Sequence, residues 1–228
     1  MEDGSVEALL CRTASLLAQH EDDLAISTFA IPCLVGLLAS GIEGAAAHAA
    51  DALARAVSCS SFAATAREAG AVPRLVDLLW EGPTSRAAVA AAGACASLSV
   101  DPTCQAEIVE AGGVKPLVAM LQHREAPDRI GLQAAECAAA ALRNLAFRRQ
   151  DHSDRIALHG GIFALLRLVD VDYALVQPTT AQLACGALAN LTHAHPTNQL
   201  AVCEARAIKP LVALLASPAA APRVSPGA

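Results

Sequence analysis

One phrase returns five times along this 228-residue chain: "FAIPCLVGLL" at 29–38, "GAVPRLVDLL" at 70–79, "GGVKPLVAML" at 112–121, "GGIFALLRLV" at 160–169 and "RAIKPLVALL" at 206–215. With Leu34, Leu75, Leu117, Leu165 and Leu211 as markers, the steps are 41, 42, 48 and 46 residues. Few folds accept self-similarity at that period. A unit of this size cannot bury its own apolar face, so successive units must stack and share one elongated core.

Each unit reads as three helices. A short first helix, such as "PTCQAEIVEA" (102–111) or "SDRIALH" (153–159), stops at Gly70, at Gly112-Gly113 or at Gly160-Gly161. Glycine takes the positive φ of a sharp turn without strain. Pro32, Pro73, Pro116 or Pro210 then stands near the start of the second helix, where a missing N–H is harmless. The leucine-valine run forms that second helix. After a polar loop comes a long third helix: "GAAAHAADALARAV" (44–57), "SRAAVAAAGACASLS" (85–99), "LQAAECAAAALRNLA" (132–146) and "TAQLACGALANLT" (180–192). The composition agrees, being 54% hydrophobic and 3% aromatic, with nearly a quarter of all residues alanine. Such a chain forms helices that pack closely through small side chains and has few of the residues that favour strands.

The order of helix, glycine turn, helix, loop and long helix, with its "GxxPxLVxLL…AxxALxNLA" phrasing, resembles the armadillo repeat family from about Glu7 to Ser217. The period is too long for tetratricopeptide or ankyrin units. The resemblance implies an all-α fold, a right-handed α-solenoid (an armadillo-type superhelix of three-helix repeats) over residues 1–217, with 218–228 as a disordered Pro/Ala-rich tail. The frame is shifted. Val6 to Ala18 matches a third helix ahead of the first helix pair, and the last pair runs into "ASPAAAPRVSPGA", too proline-rich for a third helix. About five units result. Glu7, Arg12 and Gln19 suit the opening segment to a polar cap. At the other end the face of Leu211, Leu214 and Leu215 is expected to meet another chain or a second copy, or to be covered by the tail, or else to be the mark of a longer ancestral array.

In a right-handed stack of this kind the third helices line the concave side, and equivalent positions form a ladder. Aligning "ALRNL" with "ALANL" places Asn144 and Asn190 on matching rungs, with Ser97 and Arg55 on the two before them. An amide both donates and accepts, so a column of amides can hold an extended segment by its main chain. The armadillo resemblance implies that role for Asn144 and Asn190; the alternative is that each amide caps a loop or bonds within its own repeat. His48, Asp51, Arg55 and Arg148 complete the expected partner-binding groove. The nuclear-import adaptors of this family place a tryptophan four residues before each asparagine, forming slots for lysine stems. Here those positions are Ala140, Gly186, Gly93 and Asp51, and the single tryptophan, Trp80, ends a second helix. No lysine slot is therefore expected. Arg55, Arg143, Arg148 and Arg149 resemble a weak form of the basic groove by which β-catenin-like members hold acidic partners; alternatively, they solvate helix C-termini.

A net charge of −6 offers no basic face to nucleic acid or anionic lipid, and nucleic-acid binding is not expected. The acidic opening does not read as a secretory signal, and the most apolar stretch, 87–100, is too short to insert in a membrane. Eight cysteines occur without a CxxC pair, mostly inside apolar runs, which points to reduced thiols in cytoplasm or nucleus. No catalytic, cofactor-binding or metal-binding pattern emerges. "HAH" (193–195) lacks a neighbouring ligand in sequence, "EAGGVKP" lacks the lysine-hydroxyl pair of a phosphate loop, and "SCSSF" (58–62) has no base. "EDD" (21–23) suits a helix N-terminus. Two loops, "HREAPDRIGL" (123–132) and "VDVDYALVQPTT" (169–180) with Tyr173, account for the longer steps and are candidate recognition loops. The expected function is that of a non-catalytic scaffold or adaptor binding protein or peptide segments in its groove. Two alternatives are a substrate-recruiting part of a larger enzyme assembly, such as a ubiquitin ligase, and a nuclear-import adaptor that has lost its slots.

Overall fold

The computed structural model describes residues 24–57, 60–122, 129–170, 174 and 177–215. Among these residues there are thirteen helices and no strand. They are α1 (Leu24–Leu38), α2 (Glu43–Ala56), α3 (Ser60–Glu68), α4 (Ala71–Leu79), α5 (Arg86–Leu98), α6 (Pro102–Glu110), α7 (Val114–Gln122), α8 (Arg129–Leu145), α9 (Gln150–Leu158), α10 (Gly161–Leu168), α11 (Pro178–Thr192), α12 (Pro196–Glu204) and α13 (Ile208–Leu215). The segment Val6 to Ala18, the tail, "EDD", Tyr173, residues 123–128 and the side chains of Leu214 and Leu215 lie outside the described residues.

Small side chains decide how the layers form. In α5, Ala87, Ala88, Ala90, Ala91, Ala92, Ala94, Val89, Cys95 and Leu98 are all buried, so nearly the whole circumference of the helix is covered. A helix apolar all round must have neighbours on several sides. Accordingly α2, α5, α8 and α11 stand side by side as one layer, each against the next. The second helices pack on the third helices of their own units: α1 on α2, α4 on α5, α7 on α8, α10 on α11. Each also touches the first helix of the unit that follows, α4 with α6, α7 with α9 and α10 with α12. The result is a right-handed α-solenoid with one continuous core. The marker leucines Leu34, Leu75, Leu117 and Leu165 are at most 2% exposed, each contributing about 1.5–3 kcal/mol of burial.

The glycine turns form as the sequence requires. Gly70, Gly112 and Gly160 hold φ of 79°, 84° and 80° between first and second helices. The paired glycine at 161 serves a different need. A Cβ there would sit 2.5 Å from Ile156 Cγ2 and 2.8 Å from the Ile156 carbonyl oxygen, so the turn closes only without a side chain.

The first unit departs from the expected pattern. Phe29 replaces the glycine, and the chain runs from Leu24 to Leu38 as one helix with Pro32 in its interior, instead of turning before a second helix. Phe29 is a bulky residue for which positive φ is far costlier than for glycine, and the chain passes this position without turning. Two helix starts also move. α9 begins at Gln150, ahead of the expected Ser153, and α8 begins at Arg129, taking up the end of its loop.

Candidate functional site: a polar ladder on the third helices

The last turn of each helix leaves its final carbonyls without intrahelical donors. In this layer, side chains of the next unit supply those donors. Asn144 Nδ2 donates to the Ala96 carbonyl at 2.9 Å, and Asn190 Nδ2 donates to the Arg143 carbonyl at 2.8 Å. Each acceptor is the residue just before the aligned rung, Ser97 in one case and Asn144 in the other. The repeated bond places α5, α8 and α11 in the register that the phrase alignment predicts. Both asparagines are half-buried, as is Ser97, while Arg55 and Asp51 are exposed on α2 and His48 is half-buried.

An amide nitrogen carries two hydrogens, so one bond to the neighbouring helix leaves a second N–H. The oxygens differ. Asn144 Oδ1 accepts from Arg143 Nε and Nη2, both at 3.3 Å. Asn190 Oδ1 accepts from none of the described residues, leaving a donor and an acceptor on one locked side chain.

Arg143 explains the small residue at 186. Its stem crosses to α11, and a Cβ on Gly186 would meet Arg143 Cδ at 3.0 Å. The position that a tryptophan would need is filled by an arginine of this chain itself. At Gly93 the space opens towards Cys137 Sγ, 3.6 Å from an added Cβ.

Two hollows mark the layer. One is lined by Asp51, Arg86, Val89, Ile130 and Gln133 from α2, α5 and α8. The surrounding protein desolvates Asp51 and raises its carboxyl above the ordinary range, against the opposing charges of Arg55, His48 and Arg86. The other hollow, about 360 Å³, is lined by Arg148, Arg149, Gln150, Ser153, Asn190 and His193. Arg148 sits at φ 57°, its guanidinium 5.2 Å from the centre of the Phe147 ring, and Arg149 clasps Asp151 through bonds of 3.2 and 3.1 Å. Those bonds hold the Asp151 carboxyl below its usual range.

The first helices carry further partners that sequence reasoning missed. His152 Nδ1 donates to the Leu145 carbonyl at 3.1 Å, and Asn198 Nδ2 donates to the Leu191 carbonyl at 2.8 Å. Both sit at the third position of their helices, seven residues beyond the carbonyl they satisfy. That shared spacing is the signal that could have found them. Gln105 Nε2 bridges Ser99 O at 2.9 Å and Asn144 O at 3.1 Å. His195, expected to have no acidic neighbour, meets Asp154 Oδ1 of the preceding unit at 3.0 Å through Nε2. Its Nδ1 accepts from Asn198 N at 3.4 Å, so the histidine caps α12.

Among the described residues no group of three or more His, Cys, Asp or Glu is placed to hold a metal ion, and no helix is long and apolar enough to cross a membrane. Cys33, Cys95, Cys104, Cys137, Cys185 and Cys203 are free thiols. Burial pushes Cys95 and Cys104 up to about 12 and Cys137 to about 11, so little thiolate is available as a nucleophile.

The helix order, glycine turns and third-helix layer define an armadillo-type repeat solenoid, the fold that the sequence resemblance implies. Solved structures bear this out. The chain is similar to an engineered protein from the Northeast Structural Genomics Consortium, with TM-score 0.79 and 27% identity, over 94% of this chain and 90% of that one. It is also similar to a computationally designed armadillo repeat protein for modular peptide recognition, with TM-score 0.78 and 21% identity, over 95% and 88%. A designed armadillo repeat protein in complex with a (KR)4 peptide matches at TM-score 0.58 and 23% identity, over 75% and 80%. No family model and no curated protein matches the sequence.

Proposed function

We propose that this chain is a non-catalytic scaffold or adaptor that holds extended protein segments along its third-helix layer. The observation that carries this reading is the pair of asparagines, fixed by equivalent bonds to the preceding unit and each keeping a second N–H that meets no acceptor among the described residues. A polar group held in one rotamer loses little entropy when a segment arrives. Asn190, whose Oδ1 accepts from none of the described residues, suits a two-point contact to a peptide unit. The designed armadillo repeat protein made for modular peptide recognition has the same fold.

The charges near the rungs favour acidic segments over basic ones. Arg148 and His193 line the hollow beside Asn190 at the C-terminal ends of α8 and α11, and Arg143 lies in the last turn of α8. Arg143 also fills the space a lysine stem would take, which weighs against the nuclear-import reading. Free cysteines suit a reducing compartment, cytoplasm or nucleus.

The test is a peptide-display selection on the native chain and on the Asn144→Ala, Asn190→Ala double variant. The native chain should enrich a family of sequences that the variant does not retain. Each substitution also removes an inter-unit hydrogen bond, costing about 1 kcal/mol, so helicity and midpoint are measured alongside. Equal enrichment on a folded variant removes the ladder from the account.

A further inference from the structure

The hollow beside Asn190 carries a charge that its own chain leaves unanswered. The chain as a whole is acidic, with 22 Asp and Glu against 16 Lys and Arg. Yet no acidic residue lines this space of about 360 Å³, while Arg148, Arg149 and His193 do. Arg149 is matched by Asp151 at 3.2 and 3.1 Å. The other carboxylate of α9, Asp154, meets His195 at 3.0 Å. Among the described residues no carboxylate pairs with Arg148.

The walls are set before any ligand arrives. Gln150 Nε2 donates to the Ala194 carbonyl at 3.0 Å, tying the two units together across the hollow. The Ser153 hydroxyl donates to the Arg149 carbonyl at 2.9 Å and holds the turn below it. The Arg148 guanidinium rests 5.2 Å from the centre of the Phe147 ring, and its backbone φ of 57° sets the direction in which the stem leaves the chain. A cation steadied in this way loses little entropy when an anion binds. Its parallel N–H groups match the paired oxygens of a carboxylate or a phosphate. Asn190 belongs both to the rung and to the rim of the hollow. A segment whose main chain meets the Asn190 amide therefore brings a neighbouring side chain over the hollow.

We propose that this hollow is a subsite for one anionic side chain of the bound segment, a carboxylate or a phosphate, held by Arg148 with His193 of the next unit. The inference rests on the segment-binding reading above and adds one position at which the segment must carry negative charge. The hollow at Asp51 makes no such demand, because Asp51 and Arg86 line it together.

The test is a synthetic peptide library with phosphoserine among its randomised residues, panned on the full chain and on charge variants. Segments retained by the native chain should share one position restricted to Asp, Glu or phosphoserine. Each should bind about tenfold or more tightly than the same peptide with alanine there. Phosphoserine alone at that position identifies phosphate as the group read; Asp or Glu identifies a carboxylate. Arg148 is exposed, and Arg148→Glu should exchange the preference for Lys or Arg while leaving the other positions unchanged. Arg148→Gln, a milder change that keeps the stem length, should flatten it. Arg74→Glu, the same charge change on an exposed residue of α4, should select as the native chain does. Circular dichroism checks that each variant folds. An enriched family with no anionic position overturns the subsite and leaves the segment-binding reading standing, as does a preference that survives Arg148→Gln. The absence of any enriched family overturns both.

Discussion

Arg206 holds φ of 55° at the turn where Gly70, Gly112 and Gly160 hold 79°, 84° and 80°. A side chain in that region crowds its own backbone, costing about 1–2 kcal/mol. Arg206→Gly is therefore expected to stabilise the chain by about 1 kcal/mol, read as a higher urea midpoint with unchanged slope. His152 gives a second residue-scale prediction. Its ring is 3% exposed, and burial lowers its pKa from the ordinary 6.5. The folded state thus prefers the neutral ring, and that contribution is complete above pH 6.5 and lost as pH falls through the window beneath. The urea midpoint should drop between neutrality and about pH 5, and His152→Asn, copying Asn198, should flatten that drop.

At the scale of the helix, α5 shows how far a pattern can be read. Its alanine run was legible as a long third helix that packs closely through small side chains, but its burial nearly all round was not, because composition does not say how many neighbours a helix meets. Ala91, 0% exposed, has no room for a larger residue, and Ala91→Leu should cost about 1–3 kcal/mol in thermal or urea unfolding. The register of the rungs was legible too, since each asparagine bonds one residue short of its aligned partner. The continuous α1 was not. Pro32 in a phrase shared by five units reads as a helix start, but no turn precedes it where Phe29 stands in place of glycine, although the last unit turns at Arg206. The interdigitation of Arg143 with Gly186 was equally hidden, because sequence spacing places Cα atoms on a face and does not say where a long stem will lie. The helix caps at His152 and Asn198 escaped notice because the two residue types differ while their geometry is shared.

Over the whole molecule, each unit contacts only its neighbours, so stability is graded along the axis instead of uniform. α5 and α8 are flanked by other third helices on both sides, whereas α12 buries Asn198 alone among its residues. Amide exchange should be slowest in α5 and α8 and fastest in α12 and α13. Uniform protection from end to end would contradict a stack with nearest-neighbour coupling. The alanine contacts within the third-helix layer carry one more consequence. Helices that meet through methyl groups sit near the lower limit of helix spacing, about 8 Å, and an extended chain advances about 3.3 Å per residue. A segment lying across the layer would therefore pass a new rung every two to three residues. Thickening any of those alanines would stretch the stride of the ruler, so the protein would misjudge the interval between side chains even with every amide in place.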